Sequence, residues 1–471
     1  MGSKGRGETR TGGRAATTGV ILGDYALSVG RASSPLPAGW QWTQLTDVAR
    51  LETGHTPSRK HPEYWGGDVP WIGTRDATAN HGCTLQSTNQ YTNELGIKNS
   101  SARVLPANTV CLSRTASVGY VVVMGRPMAT SQDFVNWVCS DRLDYRYLKY
   151  VLLAEKESFL RFASGTTHQT IYFPEVKAFH AALPPIGEQT RIADTLSALD
   201  DRIDLLRQTN TTLEAIAQAL FKSWFADFDP VRAQAEGREP DAMDPATAAL
   251  FPSAFEPSEL GLIPKGWRVD EIGKVVACVG GATPSTKEPT YWDSPDHHWV
   301  TPKDLSGLQA PVLMDTERKI STSGLARISS GSLPAGTLLL SSRAPIGYLA
   351  IAHVPTAINQ GFIAMLPGGQ LPASYLLFWT KLNMDAIKQK ANGSTFMEIS
   401  KSAFRPIKLA VPPKQVVDAF DSISKPFLDR IAEDERQRTK LAQLRDTLLP
   451  RLISGKLRLP EADAAIEGAL A

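Results

Sequence analysis

The sequence predicts an α+β protein in which two similar globular heads are joined by two long helices packed as an antiparallel coiled coil, a pseudo-two-fold internal repeat. Three observations predict it. First, the chain repeats itself: LPAGW at 36–40 returns as IPKGW at 263–267, and GHTPSRKHPEYW at 54–65 returns as GATPSTKEPTYW at 281–292. After one inserted residue the match continues, LPANTVCLSRTASVGY (105–120) against LPAGTLLLSSRAPIGY (333–348). Second, Ile192, Leu196, Leu199, Ile203, Leu206, Asn210, Leu213, Ala217, Leu220 and Trp224 alternate at spacings of four and three, a seam narrow enough to suit one long partner helix. Third, a partner stands near the C-terminus: Phe420, Ile423 or Ser424, Phe427, Ile431, Asp434, Arg438, Leu441, Leu444, Leu448 and Leu452 form a similar but less regular seam.

Residues 1–34 are rich in Gly, Arg, Thr and Ser and read as a flexible N-terminal extension. Residues 35–185 form the first head. Short β-branched or apolar runs such as Thr109–Leu112 and Tyr120–Val123 alternate with Gly and Pro turns, and a helix is expected near Tyr145–Phe162. Pro184-Pro185 marks its end, because proline disfavours helix in the residue before it and fits the first helical turn. The first long helix takes 186–232, and a linker rich in Ala, Pro and acid takes 233–262. The second head covers 263–413 and the second helix 414–459, with Pro426 expected to bend its first turns; 460–471 is a tail. Asn210 and Arg438 hold equivalent seam positions, where a polar residue fixes register at some cost in stability. Leu199, Ile203, Leu206, Asn210, Leu213, Leu220, Trp224, Ile431, Arg438, Leu441 and Leu448 are therefore the expected interface of the helix pair and of any partner. The aromatic run Phe221, Trp224, Phe225 and Phe228 is either a docking surface or an internal cap.

At 471 residues, 42% hydrophobic and 21% charged, with no apolar run near bilayer length, the composition is that of a soluble, cytoplasmic protein. Four scattered cysteines suggest neither a zinc knuckle nor a disulfide framework. A net charge of +2 is too small for a protein that grips nucleic acid unaided through a large phosphate footprint. There is no Gly-x-x-x-x-Gly-Lys-Ser/Thr phosphate loop and no Asn/Asp-Pro-Pro-aromatic run, so no cofactor is expected in this chain.

The run LPPIGEQTRIADTLSALDDRIDLLRQTNTTLEAIAQALFKSWFADFDPVRA (183–233), the linker end SELGLIPKGW, the paired GHTPS and GATPS stretches and the closing LLPRLISGKLRL (448–459) closely resemble the specificity subunit of type I restriction-modification systems. The resemblance covers residues 36–460. It implies two target-recognition domains, each reading one half of a split double-stranded DNA target, on helices that dock two methyltransferase subunits and, through them, restriction subunits. S-adenosylmethionine, ATP and Mg would then belong to those partners, and this chain would be non-catalytic.

On that reading the DNA-binding candidates fall in matching places of the two heads. Thr56 and Ser58, with Thr283 and Ser285, offer hydroxyls to phosphates or simply make a turn before Tyr64-Trp65 and Tyr291-Trp292. Arg75 and Lys303 follow Trp71 and Trp299; Arg114 and Arg343 follow a strand; each could reach a phosphate or a guanine edge, or remain a solvated charge. Gln132 and Gln360 precede an apolar run, where an amide reads adenine or, the favoured reading, satisfies buried backbone. Thr167, His168 and Thr395 sit in Gly-initiated turns at the expected DNA face. Two other classes remain as alternatives: a Mg-dependent nuclease using Asp296, Glu317 and Lys319, and a coiled-coil scaffold with no DNA role.

Overall fold

The computed structural model describes residues 19–165, 169–393 and 397–470. The chain forms two compact units, Met1–Asp201 with Lys440–Ala471, and Arg202–Thr439. Each holds one head and the adjoining stretch of both long helices, so the boundary falls inside the helices.

In the first unit a five-stranded sheet has the spatial order Ala49–Thr53, Phe134–Cys139, Val110–Ser113, Val121–Met124, Thr84–Leu85. Its middle strands are buried on both faces, which is why Val121-Val-Val-Met124 is an unbroken apolar run. Trp137, Phe134 and Phe179 are buried, with Tyr147 from the helix Tyr145–Ala154. A three-stranded sheet (Ala129–Thr130, Trp65–Ile72, Gln90–Thr92) leads into the turns described below. The second unit repeats both sheets: Cys278–Val279, Phe362–Met365, Leu338–Ser341, Leu349–Ala352, Val312–Leu313 in one, and Arg318–Ile320, His297–Val300, Thr356–Ile358 in the other.

The long helices run Ile186–Lys222 and Lys414–Ile453. In the first unit Glu188 meets Arg458 and Asp200 meets Arg445; in the second Asn210 meets Glu435 and Phe221 meets Phe420. Numbers rise on one partner as they fall on the other, so the pair is antiparallel. Ile192, Leu196, Leu199, Ile203 and Leu206 are buried along the seam, as are Ile431, Leu441, Leu448 and Leu452. Leu213 and Leu220 are partly buried. Leu205 and Ile216, off the seam, are about half exposed. Ser424 takes the seam position and Ile423 faces outward. The second helix stays continuous through Pro426.

Several boundaries differ from the sequence reading. The α-helix ends at Lys222, ten residues short of the expected 232: a π-helical turn follows at Ser223–Asp227, Phe228 is left-handed (φ 54°), and a new helix starts at Asp229. The linker carries a hairpin, Phe255–Ser258 with Gly261–Pro264, and its Phe251 is buried against Trp224. Residues beyond the second helix form a further helix, Leu459–Leu470. Part of the N-terminal extension belongs to the fold: Ile21–Leu22 pairs with Leu27–Val29, which pairs with Phe179–Leu183. A buried carboxylate holds it. Glu155 accepts from the backbone N–H groups of Asp24 (2.8 Å), Tyr25 (2.8 Å), Ala26 (2.6 Å) and Leu27 (3.1 Å).

Asn210 is buried and its amide donates to Glu435 (3.0 Å), which also takes Arg438 (2.8 Å). The two polar seam residues thus share one carboxylate, and Asn210 Oδ1 has no partner among the described residues. Trp224, Phe225 and Phe221 are internal, packing on Phe420, Tyr375 and Phe251; Phe228 lies on Trp267. The aromatic run is a cap, not a free docking surface. Among the described residues no helix is long and apolar enough to cross a membrane.

Candidate nucleic-acid interface

Antiparallel pairing brings the end of Ala49–Thr53, the end of Val110–Ser113 and the start of Phe134–Cys139 to one edge of the first head's sheet, since Val135 pairs with Thr53 and Phe134 with Ser113. The loops leaving that edge hold most of the first head's candidates. The Thr56 hydroxyl donates to Gln132 Oε1 (2.5 Å), joining two loops 76 positions apart. Trp71 Nε1 donates to the His55 carbonyl (3.1 Å) and so fixes the turn that presents Thr56. The second head builds the same device: Thr283 donates to Gln360 Oε1 (2.5 Å) and Trp299 Nε1 to the Ala282 carbonyl (3.2 Å). Gln132 and Gln360 are exposed, so the favoured reading as satisfiers of buried backbone is corrected. The Ser58 and Ser285 hydroxyls each accept the N–H two residues on (3.3 Å), the serine-turn geometry.

The charged candidates part company. Arg75 is exposed and its guanidinium has no partner among the described residues, whereas Lys303 is paired with Glu317 (2.8 Å). The difference comes from the facing loop, where Asn89 stands in one head and Glu317 in the other. Both loops are pinned by a helix-start aspartate: Asp76 Oδ1 accepts from the Asn89 N–H (2.8 Å) and Asp304 Oδ1 from the Glu317 N–H (2.7 Å). Arg114 turns inward, donating to the Gln132 carbonyl (3.0 Å) beside Phe173; burial lowers its pKa. Arg343 is one position further along, the match of Thr115, and faces Glu398 (3.7 Å). Thr167, His168 and Thr395 lie outside the described residues.

The nuclease constellation does not assemble. His297 pairs with Ile320 and Trp299 with Arg318, which puts Asp296 and Glu317 at opposite ends of a ladder, roughly 13 Å apart at about 3.3 Å per residue. Lys319 pairs with Asp315 (3.3 Å) and Glu317 with Lys303. Among the described residues no group of three or more His, Cys, Asp or Glu is placed to hold a metal ion.

Sequence reasoning passed over one feature of this face. Trp65 and Trp71 meet edge to face (5.2 Å), as do Trp292 and Trp299 (5.2 Å), with a guanidinium over each pair. Trp65 and Trp292 are half-buried lids.

The family model for the type I restriction modification DNA specificity domain matches the chain twice, over residues 37–215 and 264–436. The chain belongs to this family of type I specificity subunits. Type I specificity subunits are non-catalytic, and catalysis lies in partner subunits. This specificity subunit is 26% identical over 441 residues to the MjaIX specificity subunit of Methanocaldococcus jannaschii, covering 90% of this chain and 95% of that one. It is 26% identical over 389 residues to the HindI specificity subunit of Haemophilus influenzae, covering 71% and 84%. The crystal structure of a type I restriction-modification S subunit from M. genitalium has the same fold, with a TM-score of 0.57 at 15% identity over 90% of this chain and 98% of that one.

Proposed function

We propose that each head reads one part of a split double-stranded DNA sequence through the loops around Thr56–Gln132 and Thr283–Gln360. One observation carries this: both heads keep the same Thr–Gln–Trp framework while changing side chains around it (Asn89 against Glu317, Arg114 against Ser342). A fixed frame with exchanged neighbours is what reading two different sequences from one scaffold requires. The helix pair sets the gap between the parts and docks two methyltransferase subunits, which carry S-adenosylmethionine, while restriction subunits carry ATP and Mg. The complex works in the cytoplasm.

The test is methylome sequencing of a host expressing the whole system. Exchanging residues 263–413 for another protein's equivalent changes one half of the methylated motif; changes in both halves defeat the idea of independent heads. Seven residues inserted into each long helix add about 10 Å, about three base pairs, to the gap and leave both halves intact. An unchanged gap rules out the helices as the spacer. The purified chain with Mg2+ leaves plasmid DNA uncut; nicking would revive the nuclease.

A further inference from the structure

The two heads supply the guanidinium over their tryptophan pair from different segments of the chain. In the first head it is Arg59, 4.0 Å from the Trp65 ring and 5.2 Å from Trp71, and it donates to Gln90 Oε1 (2.7 Å). In the second it is Arg318, 3.8 Å from Trp292 and 5.4 Å from Trp299. Gln90 pairs with Trp71 across the ladder as Arg318 pairs with Trp299, so Arg318 occupies the position of Gln90. The position of Arg59 is Thr286 in the second head. One head has Arg and Gln at these two places, the other Thr and Arg: the cation has changed its place in the sequence and kept its place in space.

A stacked guanidinium presents its N–H edge, and that edge suits a phosphate. Both arginines are exposed and neither has a carboxylate partner among the described residues. That separates them from Lys303 and Arg343, which face Glu317 and Glu398. Each springs from an element that abuts the Thr–Gln pair: Arg59 lies three residues after Thr56, and Arg318 opposes the tryptophan that fixes the Thr283 turn. We propose that Arg59 and Arg318 are matched DNA-phosphate contacts, one for each head. This rests on the heads being DNA readers.

The experiment uses the chain assembled with its methyltransferase subunits and, as probe, a duplex carrying the motif methylated in the host. Arg59→Met keeps the aliphatic contact with the indole and removes the charge. It is expected to weaken binding about tenfold on the motif and on unrelated duplexes alike, and to lower the slope of log affinity against log salt by about one. The double variant Arg59→Thr/Gln90→Arg, which installs the second head's arrangement, restores affinity and slope. Wild-type binding by Arg59→Met overturns the proposal, as does a folded double variant that binds no better than Arg59→Met. A motif relaxed at one base pair with the slope unchanged assigns the arginine to a base edge and also overturns it. Should Arg59→Met melt early, Arg318→Met makes the same decision in the other head. A wild-type complex that fails to bind its own motif sinks the reading of the heads instead.

Discussion

The first head meets its helices through a polar cluster that the second head replaces with apolar side chains, and this contrast supplies its own experiment. Asp200 takes the Tyr150 hydroxyl (2.7 Å), Arg445 (2.8 Å) and Lys149 (3.5 Å), with side-chain exposures of 23% for Asp200, 29% for Arg445 and 11% for Lys149. Burial is the largest influence on Lys149 and lowers its pKa despite the carboxylate. The repeat puts Leu377, Phe378, Leu428 and Ala217 at the positions of Lys149, Tyr150, Asp200 and Arg445, all in the core of the second unit. Asp200→Ala strands the Lys149 cation, while Arg445 keeps Asp446 (2.7 Å). Stranding one partner of a buried pair costs about 3–5 kcal/mol, and the residual exposure favours the lower end, about 3 kcal/mol. At about 2–4 °C per kcal/mol for a unit of this size, its transition falls by roughly 6–12 °C. The quadruple variant Lys149→Leu/Tyr150→Phe/Asp200→Leu/Arg445→Ala copies the second unit and should be neutral or more stable, because well-packed apolar groups avoid the desolvation cost. Calorimetry gives the shift, and hydrogen exchange assigns it to Met1–Asp201 with Lys440–Ala471. A loss below about 1 kcal/mol for Asp200→Ala, or a quadruple variant weaker than the single one, refutes the reasoning.

Three further outcomes are expected. His81 accepts the Val121 N–H at Nδ1 (3.1 Å), and burial, aided by Lys156, lowers its pKa to about 4. The unfolded chain takes up that proton near pH 6.5 and the fold excludes it, so stability is complete above that pH. It is lost as pH falls towards 4, by at most about 3 kcal/mol; urea titrations across this window should flatten in His81→Gln, which copies Gln309. Glu155→Ala leaves the Tyr25, Ala26 and Leu27 N–H groups without their acceptor, Asp24 keeping the Ser158 hydroxyl (3.0 Å), a cost of about 3 kcal/mol or more, so limited proteolysis within residues 19–30 speeds up while Glu155→Gln stays closer to wild type. Thr56→Val frees Gln132 and should relax one half of the methylated motif while the other keeps its bases, as methylome sequencing reads it.

What could be read in advance was whatever is written as local rhythm or as repetition. The spacing of Ile192 to Trp224 specified a helix and a partner, and the doubled GHTPS/GATPS stretch made Thr283 the counterpart of Thr56. What escaped was the identity of distant partners. Nothing local in Glu155 says that it will bind N–H groups more than 125 residues away, and nothing in Asn210 chooses Glu435 over Arg438. The aromatic run could not declare itself a cap, because its neighbours Phe251, Tyr375 and Phe420 come from three other segments. The arginine over the indoles was legible in principle: aligning the copies shows Arg lost at position 59 and gained at the match of position 90. It went unseen because the two positions become neighbours only across a strand pair.

The division of the chain has a consequence for its synthesis. Arg202–Thr439 is one uninterrupted stretch, so the second unit has all its parts once residue 439 leaves the ribosome. The first unit does not. Its Tyr147 hydroxyl reaches the Ile453 carbonyl (3.4 Å), its Asp200 waits for Arg445 and its Glu188 for Arg458. Domains ordinarily complete themselves in the order in which they are translated; here the head that emerges first is the last to be finished, and its half of the seam stays uncovered until the end of the second long helix arrives.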